Sequence, residues 1–548
     1  MNGEVKVRFS DGTEKMYGRG TLLLTMAKER QNLYPARIVA ARVNNALTDL
    51  QVGQTADASV DFFDLQSGQG LKVYERSLTF VLIIAAQRLY PGKEVVVEHS
   101  LGNGVYFEWL LGRPVTEADV ALLEQAMSVI IADNLPIVRH NMPLSEAIQQ
   151  FAAVGNAEKI RLLRQIERDT VSLYTCDGVM DYFYGPMAPE TGYLKQFSLT
   201  YYAPGFILRF PDKTNPGFVP PFQDHPKLAQ IFWEAERWGD LLGCPTVAQM
   251  NEALLSGEFL EIMRVAEALH EKKVAAIADM VDERRPGVKV VMIAGPSSSG
   301  KSTFIQRLAI QLRIHGIRSV TISLDDYFLD REQTPRAPNG DYDFESIHAL
   351  DLPLLNAHLM ELLSGRMVEP PFYNFKTGRR EYSGRTLQVA PNQVLLVEGI
   401  HGLNPELTAS IPRERKFLIY ISALTQLAID NHNRIPTTDT RLIRRIVRDN
   451  QFRSHDALQT LRLWPAVRSG EEVNIFPFQE EADVMFNSAL IYELAVLRQY
   501  AEPLLARITP EYPEYLEARR LTGFLRHFRL APPDQVPSTS ILREFIGG

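Results

Sequence analysis

The sequence predicts an α/β architecture in its C-terminal half, a parallel sheet with crossover helices, preceded by two smaller α+β units. Three observations carry that prediction. Strand and helix patterns alternate from Val288 to about Leu505, the signature of parallel βαβ units. The run Val288–Ala294 (VKVVMIA) is almost continuously apolar, as a strand covered on both faces must be. Residues 4–225 show instead short alternating strands, hairpin turns and separate helices.

In chain order, Val5, Val7 and Phe9 alternate as in a strand, and Asp11-Gly12 follows as a hairpin signal. A helix around Thr21–Arg30 and a strand over Ile38–Val43 complete a unit over residues 1–64. The second unit, 65–225, is expected to hold helices over Leu78–Leu89 and Glu117–Asp133, a strand over Glu94–Glu98, and Gly/Tyr-rich hairpins. Five prolines between Pro211 and Pro226 mark a linker. From Asn251 to Val281, apolar residues such as Ile262, Val265 and Leu269 recur at helical spacing, so 226–285 reads as a helical connector. The α/β unit occupies 286–510, and 511–548 is a tail with helix signals and no assigned place.

The composition excludes several classes. A net charge of −8 over 548 residues argues against a broad nucleic-acid surface. Two cysteines, Cys176 and Cys244, cannot build a disulfide framework or a cysteine-rich zinc site, and they suit a reducing, cytoplasmic setting. The N-terminus lacks the apolar core of a signal peptide. The longest apolar run, Phe80–Ala86, falls far short of a membrane span.

The chemistry concentrates after Ala294. Gly295-Pro296-Ser297-Ser298-Ser299-Gly300-Lys301-Ser302 matches G-x-x-x-x-G-K-[ST] in full, with an apolar strand before it and an amphipathic helix (Thr303–His315) after it. Glycines let backbone N–H groups turn inward toward phosphate oxygens, and the helix N-terminus adds a positive dipole. Lys301 is expected to hold the β- and γ-phosphates of ATP, Ser302 to ligate Mg²⁺, and Thr303 to continue the nucleotide contact. The next strand, Ser319–Leu324, ends in Asp325-Asp326. Ligands of parallel sheets sit at strand carboxyl ends, so Asp325 is a candidate general base or Mg²⁺ partner; a helix N-cap is the structural alternative. The strand Val394–Val397 ends in Glu398, a second candidate for orienting Mg²⁺. Arg441, Arg444, Arg445 and Arg448 lie three or four apart on one helix face, and arginine suits bidentate phosphate contacts.

Together GPSSSGKS, SLDDYF, YDFE (342–345), PFYNFKTGRR (371–380), VLLVEGI (394–400) and TRLIRRIVRD (440–449) resemble the uridine kinase branch of P-loop kinases, related also to phosphoribulokinase. The resemblance implies Asp325 as catalytic base, Asp343 as the carboxylate on ribose hydroxyls and Tyr373 beside the nucleoside. It places Arg380 on the substrate side, and Arg445, Arg448 and Arg453 as lid arginines around the transferring phosphate. Gly378 stands where uridine kinases usually carry the His that reads the base, and His455 replaces a further lid arginine. Residues 1–64 resemble a TGS domain, a ubiquitin-like unit. Ala85–Pro91, Ser172–Cys176 and Gly185–Gly192 make 65–225 similar to the editing domain of threonyl-tRNA synthetases. Where those domains carry zinc-binding His and Cys, this chain aligns Arg76, Phe80, Phe183 and Met187, none a normal zinc ligand. The expectation is an ATP- and Mg²⁺-dependent kinase of a small metabolite, a nucleoside above all, with an RNA or protein partner for the N-terminal half and no membrane. The alternative is a nucleotide-sensing regulatory or RNA-associated protein without a small-molecule acceptor.

Overall fold

The computed structural model describes residues 3–285, 287–337, 340–425 and 427–548. The unit boundary expected at Pro286 therefore lies outside the described residues. The first element group is a five-stranded sheet built from Glu4–Phe9, Glu14–Gly18, Ile38–Val43, Ala46–Thr48 and Ala58–Asp64, with Leu23–Arg30 packed on it. Alternation decides the faces: Val5, Val7 and Phe9 are buried, and the residues between them are exposed. The second group carries a four-stranded and a three-stranded sheet around the helices Gly68–Leu89 and Glu117–Ala132.

The C-terminal half is built on a five-stranded parallel sheet: β1 (Val290–Ala294), β2 (Arg318–Ser323), β3 (Gln393–Glu398), β4 (Lys416–Ser422) and β5 (Val484–Asn487), in the spatial order β2-β3-β1-β4-β5. Its apolar strands are explained by burial on both faces. Val291 and Ile293 enter one core cluster, and Val290, Met292 and Ala294 enter another on the opposite face. Val394 and Leu396 of β3 divide from Leu395 and Val397 in the same way. Among the described residues no helix is long and apolar enough to cross a membrane.

Four expectations are corrected in detail. The helix placed at Leu78 starts at Gly68, because Ser67 caps it through the Gly70 N–H and polar residues fill its first turns. The connector is three helices, Pro226–Leu241, Val247–Ser256 and Phe259–Glu283, the last two separated where Gly257 takes φ +86°. Periodicity runs through that break, and only a residue tolerant of the left-handed region ends the second helix there. The helix after the glycine-rich loop begins at Lys301 rather than Thr303. The tail is no appendage. Leu521, Phe524, Ile541, Leu542 and Phe545 share the core cluster of the parallel sheet.

The two halves are joined by a buried charge network. Lys159 Nζ lies 2.7 Å from Asp181 and 3.0 Å from Asp430 across the junction, all three nearly inaccessible. Asn433 donates to Asp430, and the Val97 N–H donates to the Asn431 carbonyl at 2.8 Å. Burial alone would raise the Asp181 pKa, but Lys159 and His432 more than offset it and hold it below the usual range. Its stabilising contribution is thus present at neutral pH and lost on strong acidification. Lys159→Met strands Asp430 without a counter-charge and leaves Asp181 to His432 alone, and should cost about 3–5 kcal/mol. Thermal unfolding of the full chain measures this, and an unchanged Tm contradicts it.

Candidate functional site

The glycine-rich loop leaves β1 at Gly295, where close approach forbids a side chain: a Cβ there would sit 2.0 Å from the Ile421 carbonyl oxygen. Ser298 (φ +60°) and Gly300 (φ +84°) turn the chain back into the helix Lys301–Ile314. The Ser298 and Ser299 hydroxyls are buried without hydrogen-bond partners among the described residues. The Gly300, Lys301 and Ser302 N–H groups likewise have no acceptor there. Orphan donors gathered at a helix N-terminus are what an anion satisfies. Lys301 folds over the loop and donates to the Gly295 and Pro296 carbonyls at 2.9 and 3.2 Å. Ser302 is exposed, and Pro296 is buried beneath the loop.

Around Lys301 the other candidates converge. Burial lowers its pKa, while Glu398, Asp325 and Glu544 raise it and Arg448 lowers it, so all four charges act on one ammonium. Glu398, at the end of β3, accepts from the Ser323 hydroxyl at 3.0 Å. Burial and the adjacent Asp325 push its pKa up to about 7. Lys301 offsets that rise only in part, and Ser302 and Glu398 supply the oxygens that would hold Mg²⁺ here. Among the described residues no three His, Cys, Asp or Glu side chains gather closely enough to hold a metal alone; Mg²⁺ in phosphate sites relies on one or two protein oxygens plus the phosphates.

The arginine helix, Thr437–Phe452, corrects the picture of one phosphate-binding face. Arg441 and Arg444 are fully buried braces. Arg441 pairs with Glu471 and donates to the Ser297 carbonyl at 3.2 Å; Arg444 pairs with Glu493 at 2.5 Å and reaches the Ser298 carbonyl at 3.3 Å. Arg445 donates to the Ser297 hydroxyl at 2.9 Å. Arg445 and Arg448 both hold Asp449 at 3.1 Å, and Arg453 approaches it at 3.8 Å. The motif contained Asp449, but nothing in its spacing reveals that one buried carboxylate gathers three arginines.

The acceptor side is less uniform. Tyr373 is buried with its hydroxyl unpartnered among the described residues, packed against Phe328 and Phe375. Asp343 accepts from the Glu345 N–H at 3.2 Å. Arg380 is committed to Asp351 at 2.6 Å, and the pair is half-buried. Two residues escaped sequence reasoning. Glu345 lies against Gly470, and burial raises its pKa to about 7 despite Arg445. Glu544, from the tail, accepts from the Thr303 N–H at 3.2 Å and its hydroxyl at 3.0 Å. Any anion seeking those donors has to displace it.

Residues 290–492 match the model described as the Phosphoribulokinase / Uridine kinase family. A kinase-family domain thus forms the C-terminal part. The N-terminal part is similar to threonine–tRNA ligases. Identity is 28% over 288 residues to that of Francisella tularensis subsp. novicida (52% of this chain, 41% of the ligase). It is 30% over 194 residues to that of Acidithiobacillus ferrooxidans (35% of this chain, 30% of the ligase). The chain thus spans less than half the length of these curated relatives. Among solved structures, a possible uridine kinase from Bacillus stearothermophilus aligns at 21% identity and TM-score 0.27, covering 39% of this chain and 98% of that one.

A carboxylate titrating near 7 makes cation binding pH-dependent with a definite sign. Mg²⁺ affinity, in the presence of a non-hydrolysable ATP analogue, should fall as pH drops through about 7, because Glu398 takes up a proton. Glu398→Gln should weaken Mg²⁺ and flatten that pH dependence; calorimetry across pH 6–8 measures both, and an equally steep profile in the variant contradicts the assignment.

Proposed function

We propose that the C-terminal half transfers the γ-phosphoryl group of ATP to a hydroxyl of a small metabolite, a nucleoside or similar ribose-like polyol. The observation that carries this reading is the convergence of Lys301, Asp325 and Glu398 beside a loop of unsatisfied N–H donors. Gly295 to Thr303 cradle the phosphates, and Lys301 draws negative charge from the γ-phosphate. Asp325 accepts the acceptor hydroxyl's proton as that oxygen attacks phosphorus. Arg445 and Arg448 face the charge that develops on the transferring group. Ser302 and Glu398 would hold Mg²⁺, which would supply charge neutralisation to the phosphates. Asp343 and Tyr373 bind the acceptor, with Arg380 and Arg453 at its margin.

Base selection is expected to be loose. Gly378 has φ +69°, and a Cβ there would meet the Arg331 guanidinium at 2.7–2.8 Å, so a base-reading side chain would be strained and would have to displace Arg331. Two buried free cysteines suit a reducing, cytoplasmic setting, and the ligase-like half is proposed to bind RNA or a protein. A second reading, nucleotide sensing without an acceptor, is favoured by Glu544 alone: a tail carboxylate seated on Thr303 is displaced when nucleotide binds.

Lys301→Ala should abolish ATP turnover. Asp325→Asn should keep ATP binding and lower transfer by ~10²–10⁴-fold, the usual weight of a general base. An ATP-consumption screen across nucleosides, polyols and sugar phosphates reads both variants. Near wild-type turnover in Lys301→Ala contradicts a catalytic loop, and no acceptor in the screen favours the sensing reading.

A further inference from the structure

One large cavity lies away from the glycine-rich loop. It lies at the junction of the ligase-like half, the arginine helix and the tail, with a volume of about 1740 Å³. The helix Gly68–Leu89 supplies Lys72 and Arg76, the loop before Thr170 supplies Arg168, and Arg520 comes from the tail helix Tyr515–Leu525.

The charges in this cavity do not balance. Arg434 pairs with Glu75 at 2.8 Å, and Arg520 spans Asp439 and Glu517, each at 2.6 Å. Among the described residues, that leaves the Lys72 ammonium and the Arg168 guanidinium with neither a hydrogen-bond nor an ion-pair partner. Arg76 has no carboxylate; it donates to the Pro186 carbonyl at 2.6 Å and presses on Gly185. Arg520 is the leading cause lowering the Lys72 pKa, with burial second, and Glu517 and Asp439 offset them only in part; burial lowers that of Arg76 against Glu75 and Asp49. A half-buried cation without an ion-pair partner, as at Lys72, costs stability, and an anion relieves that cost.

The same corner carries Arg76 beside Phe80, Phe183 and Met187. The last three share one apolar cluster, Phe80 and Phe183 with ring centroids 5.3 Å apart. Apolar packing thus fills the inner wall while the cations face the open volume. Tyr182 and Tyr184 add aromatic lining; Tyr182 shares a hydrogen bond with His527 at 3.0 Å.

We propose that this cavity binds a phosphate-bearing small molecule, a nucleotide or phosphorylated metabolite, through Lys72, Arg76 and Arg168. Its roof favours a free molecule over a polymer. The tail helix is tied to the ligase-like half by Tyr184, which donates to the Arg520 carbonyl, and by Gln69, which donates to Glu517 at 3.4 Å. The site also touches the catalytic half. Asp439, held by Arg520, lies in the first turn of the helix whose Arg441 reaches the Ser297 carbonyl. The proposal is independent of the kinase reading.

The test uses the full chain carrying Lys301→Ala, which disables the glycine-rich loop, with inorganic pyrophosphate as probe. Calorimetry should show binding that Lys72→Gln or Arg168→Gln weakens at least tenfold, while Arg526→Gln, a rim residue paired with Glu502, leaves it unchanged. Without pyrophosphate, Lys72→Gln should keep or raise the Tm, and pyrophosphate should raise the parent's Tm but not the variant's. ADP competing with pyrophosphate supports a nucleotide-type occupant. Absent binding, affinity in both the Lys72 and Arg168 variants unchanged from the parent, or binding of a 5′-phosphorylated RNA oligonucleotide but not pyrophosphate each overturns the proposal. Arg168 is exposed, so its variant folds even if Lys72→Gln does not.

Discussion

The structure depends most on two buried ion pairs behind the glycine-rich loop. Arg441 with Glu471 and Arg444 with Glu493 are inaccessible to water, and each arginine also donates to a loop carbonyl. A buried pair gains little net stability over apolar packing, yet breaking one leaves a stranded charge. Their value is geometric. They hold the Ser297 and Ser298 carbonyls in place, and the loop keeps its turn with the Gly300, Lys301 and Ser302 N–H groups unpaired among the described residues. Glu471 also accepts from the Ser297 N–H at 3.1 Å, so one carboxylate sets both the arginine and the loop.

From that brace the remaining site follows by position in the sheet. β2 and β3 end beside the loop, which carries Asp325 and Glu398 to Lys301. The arginine helix continues past its braces to Arg445 and Arg448, gathered by Asp449. The tail closes the arrangement. A Cβ on Gly300 would meet Ile541 at 2.8 Å, the Arg444 guanidinium lies 4.9 Å from the Phe545 ring, and Glu544 sits on Thr303. Loop, brace and tail form one packed unit.

How much of this the sequence discloses depends on the range of the interactions. The strand, the loop and the strand-end carboxylates were legible because local pattern and sheet topology determine them. Arg441 and Arg444 were not separable from Arg445 and Arg448, since helical spacing gives a shared face but not which members meet Glu471 and Glu493. Glu544 was illegible for the same reason: its partner, Thr303, is 241 residues away. The helix break at Gly257 was hidden by uninterrupted apolar periodicity. In the ligase-like half, the Phe80 and Phe183 contact joins two positions that the sequence already singles out, whereas the charge imbalance around Lys72 arises only when the tail delivers Arg520.

The central claim is that the braced loop is a nucleotide site and that its phosphate donors are partly held by the tail. Hydrogen–deuterium exchange on the full chain, with and without Mg·ATP, tests it most directly. The account predicts slower exchange at Gly300–Thr303 and along the start of that helix, with faster exchange over 541–546 as Glu544 is displaced. Unchanged exchange at the loop at saturating Mg·ATP would contradict it.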